Sequence, residues 1–356
     1  TGSADNLAAA TSRGTYWSVD GGQTWSPSTG LEGGQHGIVL GLAGRPTNPA
    51  RALAVTYGGG IYASADAGRS WMQVDGYNGS DYVYELAFRP GSSTQVYAGT
   101  YGVQHSSDSG LTWSSLGSLP DWVRTLDALS GAHLDVFAGT HVSGVYMLPD
   151  GSGNWVAINS GLGDLRMRSL KATAPDTLFA GTNGSSGWQY SILNRPSRAD
   201  GQEEPAGVRG ADSWTRQGPY ILAPGIIQIV IDPTNSNRIY AGTDQGVYRS
   251  TDGGESWVPK NQGLGGYGDL VISGMAIDPN NSSTIYLATW GYGIFKSTDR
   301  GDHWVRLSDP LNSMQMYLPM VVRNLSTAEL PDTLYSIADA TVIEALPSTN
   351  GGGTTD

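Results

Sequence analysis

An all-β fold of seven four-stranded blades, a seven-bladed β-propeller, is what this sequence predicts, and three observations predict it. Trp25, Trp71, Trp113, Trp155, Trp214, Trp257 and Trp304 recur at steps of about 42–47 residues, with one longer step before Trp214. Five of them close one phrase, Ser-x-Asp-x-Gly-x-(Thr/Ser/His)-Trp, at Ser18, Ser64, Ser106, Ser250 and Ser297. In phase with it, short β-rich stretches end in Ala-Gly-Thr at Thr100, Thr140, Thr182 and Thr243, with looser copies at Thr56 and Thr289. A fixed period in this range marks a repeat architecture. Four strands per repeat, set radially, leave only short protected sheet edges. Helical periodicity is absent throughout.

Each repeat reads as strands A to D with turn residues between them. Strand A is an apolar run closed by Pro, over 38–46, 82–90, 226–233 and 271–279. Such continuous apolarity suits a strand covered on both faces. Strand B is the stretch ending in Thr, strand C a short run after a Gly turn, and strand D opens at the Trp. The first repeat begins at strand B, residues 6–11, and lacks a strand A. The run 314–323 stands where a new strand A is due, so it is expected to close the ring against the first repeat. The domain reading is therefore a propeller over 1–323 and an extension over 324–356, with two short strands (332–339, 341–346) and a Gly-rich end.

The Asp phrase has a local physical role. An Asp carboxylate accepts hydrogen bonds from backbone N–H groups of its own turn. The Gly two residues on supplies positive φ, and the Trp buries its ring between blades while its indole N–H needs a partner. Asp20, Asp66, Asp108, Asp252 and Asp299 hold this position, and Asp150 holds it in a looser copy before Trp155. Trp214 keeps its place without an Asp. Seven copies spread round a ring make a structural device, not one active site.

Composition narrows the class. With 15% charged residues and a net charge of −12, the chain lacks the basic face that nucleic acid selects. No cysteine is present, which excludes disulfides and thiolate metal sites. The five histidines are scattered, so no metal and no cofactor is expected. No long apolar run predicts a membrane span. The sequence opens at Thr1 without a charged leader, and the expectation is an exported protein, extracellular or at the cell surface, with its signal peptide removed. Asn78, Asn183, Asn280, Asn281 and Asn324 stand in Asn-x-Ser/Thr sequons, candidates for glycans.

Candidate binding residues fall on one face, which the B–C and D–A loops share. Tyr57, Tyr101, His141, Asp244 and Trp290 follow the Thr of strand B, with Trp122 and Tyr292 nearby. Ringed aromatics suit stacking on sugar rings or on a protein segment. The predicted inner strands of repeats 3 to 5 also carry Glu85, Arg124, Asp127, Arg166, Arg168 and Lys171. Glycoside hydrolysis needs two facing carboxylates, and Glu85 with Asp127 is the pair to nominate. The competing reading is an inter-blade network tying both to Arg124, Arg166 or Arg168. Near residue 194 the fifth repeat gains about 15 residues, a candidate docking loop on the opposite face.

The repeated phrase resembles the Asp-box, or bacterial neuraminidase repeat, and the similarity covers about nine-tenths of the chain. That family includes sialidases, xyloglucan hydrolases, sortilin-type receptors and photosystem II assembly factors. The Arg-Ile-Pro start and arginine triad of sialidases are not visible here. Sortilin's ten blades and Cys-rich module are also missing. Xyloglucan hydrolases pair two rings about a cleft, whereas one ring of repeats is present, and the assembly factors' basic face is not evident. Residues 317–323 resemble a segment near the C-termini of exported proteins of filamentous hot-spring bacteria. The resemblance implies fold more than activity. The expectation is a non-enzymatic extracellular propeller for interaction or assembly, whose partner is another protein or a second copy, through its terminal strands. The alternative is a carbohydrate-binding protein or glycoside hydrolase using the aromatic face.

Overall fold

In the computed structural model the described residues are 6–31, 37–45, 48–75, 77, 82–90, 92–129, 135–149, 154–173, 177–184, 187–192, 213–217, 225–265, 270–290, 293–307 and 316–323. They form seven four-stranded antiparallel sheets, and no α-helix occurs among them. Strands A of successive blades lie side by side in a closed circle, which makes them the wall of a central channel. Strand D is the outer edge and spans two or three residues, as in Met72–Gln73 and Thr215–Gln217. The fold is a seven-bladed propeller.

Blade 1 departs from chain order. Its strand A is Met316–Arg323, paired antiparallel with strand B, Asn6–Thr11, so that Asn6 faces Arg323 and Thr11 faces Met316. Strand B runs toward the B–C turns. Asn6 and Arg323 therefore lie together at the other end of the ring, where the Asp-box hairpins are.

Two local devices repeat. In the Ala-Gly-Thr step, the buried Thr hydroxyl donates to the carbonyl across the B–C turn, as Thr243 does to Gly246 at 2.8 Å and Thr140 to Gly144 at 2.9 Å. The Gly before the Thr allows close packing of the next blade. A Cβ on Gly139 would lie 2.6 Å from Thr125 Cγ2 and 2.9 Å from Met167 Cβ. In the Asp box, Ser18 donates to Asp20 at 2.7 Å and accepts the Gly22 N–H at 2.9 Å, while Asp20 takes the Thr24 N–H at 2.9 Å. Asp66, Asp108, Asp252 and Asp299 repeat these bonds. Asp150 lies outside the described residues.

The tryptophans are not equally buried. Trp25, Trp71, Trp214 and Trp304 are buried, whereas Trp113, Trp155 and Trp257 are half-buried. Trp25, Trp71, Trp113 and Trp257 donate their indole N–H to the Gly carbonyl of their own box. Trp155, Trp214 and Trp304 donate instead to Leu116, Ile158 and Lys260 in the preceding blade. Trp214 thus keeps its place through the neighbouring blade without an Asp.

Candidate functional site

A β-bulge places the site. Where strand A enters the sheet, five blades skip one residue between the first two register pairs, at Leu40, Arg124, Arg168, Ile227 and Ser273. Bulges re-aim the side chain at the extra residue. In blade 3 the equivalent residue is Tyr84, whose N–H bonds to the Gly99 carbonyl at 2.9 Å before strand A begins at Glu85. That strand is Glu85–Phe88, shorter than the run over 82–90 implies. Tyr84, Arg124 and Arg168 therefore occupy matching places at the channel mouth in three adjacent blades.

Aromatic rings converge there. Trp122 makes T-shaped contacts with Tyr82, Tyr84 and Tyr101 at centroid distances of 6.0, 5.7 and 5.3 Å, and Tyr57 meets Tyr82 at 4.9 Å. Edge-to-face contacts of this kind hold rings in fixed orientations. The Arg124 guanidinium lies over the Tyr84 ring at 4.2 Å, within cation–π range. Tyr101 remains 53% exposed and Tyr57 37%. The result is a rigid aromatic floor with open edges.

The charged residues separate into two layers. At the mouth, Arg166 forms a two-bond pair with Asp164 at 2.9 and 3.0 Å, and Arg168 donates twice to Asn183 Oδ1 at 2.8 and 2.6 Å. Burial, with repulsion from Arg124 and Arg166, pushes the Arg168 guanidinium below its ordinary pKa. Deeper in the channel, Asp127 accepts the Ala128 N–H at 3.0 Å and, from the next blade, the Ala172 N–H at 2.8 Å. Lys171 Nζ lies 3.7 Å from the same carboxylate. No arginine takes this place, which corrects the expected Asp–Arg network. Asp127 and Lys171 share one register position in adjacent blades, while Arg124 and Arg168 stand at the bulge three residues earlier.

Glu85 occupies in blade 3 the register place of Thr125, Ser169 and Gln228, each opposite the residue before the Thr. Those three side chains accept the N–H of Leu170, Ile229 and Met275 and stitch adjacent inner strands together. Burial raises the Glu85 carboxyl to about 7, partly offset by Lys171 and reinforced by Asp127. Attraction to Asp127 in turn raises Lys171, against its burial. Its side chain keeps 38% exposure.

The other candidates are spread round the ring. His141, Asp244 and Trp290 are exposed at their B–C turns, Trp290 at 45%, and of the three His141 adjoins the cluster, its N–H donating to the Trp122 carbonyl at 2.9 Å. Asn183 holds Arg168, Asn281 is tied into its turn by the Thr284 hydroxyl, and Asn280 is exposed. Tyr292, Asn78, Asn324, the insertion after residue 193 and the 324–356 extension lie outside the described residues. Sequence reasoning missed Tyr82 and Tyr84 as members of the cluster. Their alternation about Val83 was the available signal, since alternate residues of an extended chain share a face.

The comparisons follow this geometry. The model of the BNR/Asp-box repeat matches residues 16–27, one hairpin of blade 1. No curated protein sequence matches the chain significantly. A GH74 xyloglucanase from Xanthomonas campestris is similar in structure, with TM-score 0.62, 16% identity and coverage of 87% of this chain and 52% of its own. YCF48 bound to D1 peptide is similar with TM-score 0.56, 14% identity and coverage of 86% and 90%. YCF48 from Cyanidioschyzon merolae gives 0.54, 18%, 77% and 85%. The chain thus spans about half the length of the xyloglucanase. The shared class is the β-propeller, and this chain carries a BNR/Asp-box repeat within it. At these identities the likeness is one of fold, and that fold serves both a glycoside hydrolase and a peptide-bound protein.

Proposed function

We propose that this protein is a non-enzymatic extracellular propeller for interaction or structural assembly, self-associating head to tail through its 324–356 extension. One observation carries the non-enzymatic part. The nominated Asp127 carboxylate is occupied by two backbone N–H groups and an ammonium, in a stitch between blades. A general acid or nucleophile needs a carboxyl group facing its substrate. The polarity of the ring supports head-to-tail association. Its chain leaves at Arg323 on the Asp-box end, while the aromatic mouth opens at the other.

Sedimentation velocity over a concentration series tests this reading. The full chain should form concentration-dependent species, and truncation after Arg323, which keeps all seven sheets, should give a monomer. Equal behaviour of the two would overturn it. The exposed aromatic floor favours glycan binding as the second reading, since such rings stack on sugars. Hydrolysis of a β-glucan or sialoside that Glu85→Gln abolishes would establish the enzymatic version.

A further inference from the structure

We propose that the aromatic–arginine mouth over blades 3 to 5 is the receptor for the acidic 324–356 segment of a second copy. This rests on the self-association reading and adds to it the acceptor surface. The protein carries a net charge of −12, yet two cations stand on adjacent bulges at the mouth, each held by a neutral group. Arg124 lies over a tyrosine ring and Arg168 holds an amide oxygen. The nearby carboxylates are already engaged: Asp164 by Arg166, and Asp121 by the N–H groups of Trp122 and Val142. Beside them Tyr101, Val142 and Leu165 are exposed apolar groups.

The chain holds a segment of opposite character. Residues 324–356 contain Glu329, Asp332, Asp339, Glu344 and Asp356, with no Lys, Arg or His. Leu330, Leu334, Ile337 and Val342 are interleaved with those acids. An acidic, aliphatic segment is complementary in both charge and polarity to a cationic, aromatic floor, and such complementarity steers association and sets register. Its origin at Arg323 is on the end opposite the mouth. A second ring stacked on the same axis therefore presents its mouth to the departing chain. Repetition of that contact gives an open polymer, as heterologous interfaces do when their rotation does not close.

The test uses charge exchange in the full chain, read by sedimentation velocity at low salt. Arg124→Glu with Arg168→Glu, or Glu329→Lys with Asp332→Lys and Asp339→Lys, should each weaken association at least about tenfold. Combining the two sets should restore it. Added salt should weaken the wild type, because the charges are exposed to solvent. An unchanged thermal midpoint shows that each variant folds, and Arg124→Gln with Arg168→Gln serves if the reversal does not. Wild-type assembly by the mouth variants, or no recovery on combination, overturns the assignment of the mouth while self-association stands. A wild-type monomer at every concentration removes the self-association reading itself, and with it this acceptor.

Discussion

At the scale of single residues, the repeated positions differ in burden. Trp71 is 4% exposed and anchored to the Gly68 carbonyl, whereas Trp113 has the same indole bond but is half-buried. Trp71→Ala should therefore cost about 3–5 kcal/mol, and Trp113→Ala clearly less, measured as the difference in urea midpoints at constant m. An equal loss at both sites would show that the hairpin, not ring burial, sets the cost. Glu85 works in the opposite direction. Its folded pKa is raised to about 7 from an ordinary value of 4.5, so the unfolded chain releases the proton more readily. Its contribution is fully present below about pH 4.5 and is lost as pH rises through about 7. Glu85→Gln should abolish that decline, leaving the variant relatively more stable at pH 8 than at pH 5 in paired denaturation curves. The Asp127 partner was not legible in sequence. Whether it meets Lys171 or an arginine depends on how one inner strand is offset against the next, and no local pattern encodes that offset.

At the scale of the hairpin, the Asp boxes impose an acid limit. Hydrogen bonds from the Ser256 hydroxyl and N–H, then from Ser250, lower Asp252 to about 2. Partial burial pushes Asp299 up, but the N–H and ring of His303 and the Ser297 hydroxyl together bring it to about 2. A carboxylate with a depressed folded pKa adds stability above its unfolded value, and that stability is lost as pH falls through the folded value. Stability should therefore drop between about pH 4 and pH 2. Asp252→Asn should flatten the drop in acid titrations followed by tryptophan fluorescence, and an unchanged slope would contradict the assignment. These hairpins were legible because the groups that bond the Asp carboxylate lie within eight residues. The Trp122 cluster was legible only in part. Trp122 and Tyr101 stood out after their turns, but Tyr82 and Tyr84 reach them along a connection whose path no short motif specifies.

At the scale of the whole ring, blade count and strand order were readable because one pattern recurs seven times and each copy corrects the others. Closure was readable too, from a first repeat that lacks strand A and a last run that stands where one is due, and Met316–Arg323 pairs with Asn6–Thr11 as that reading expects. Deleting 316–323 should leave strand B of blade 1 with a bare edge, and such edges aggregate. Light scattering should separate this deletion from truncation after Arg323, and equal solubility would mean that closure is dispensable. The same pairing orders events in time. Leu7 and its partner Val322 are separated by about three hundred residues of chain. The added entropy of closing so long a loop is modest, about 2 kcal/mol more than for one a tenth as long. Delay is the larger consequence. During synthesis, blade 1 emerges before the other six but waits as three strands until the last one is delivered. Its biogenesis therefore includes an interval in which six blades can form while the earliest blade of the ring remains unfinished.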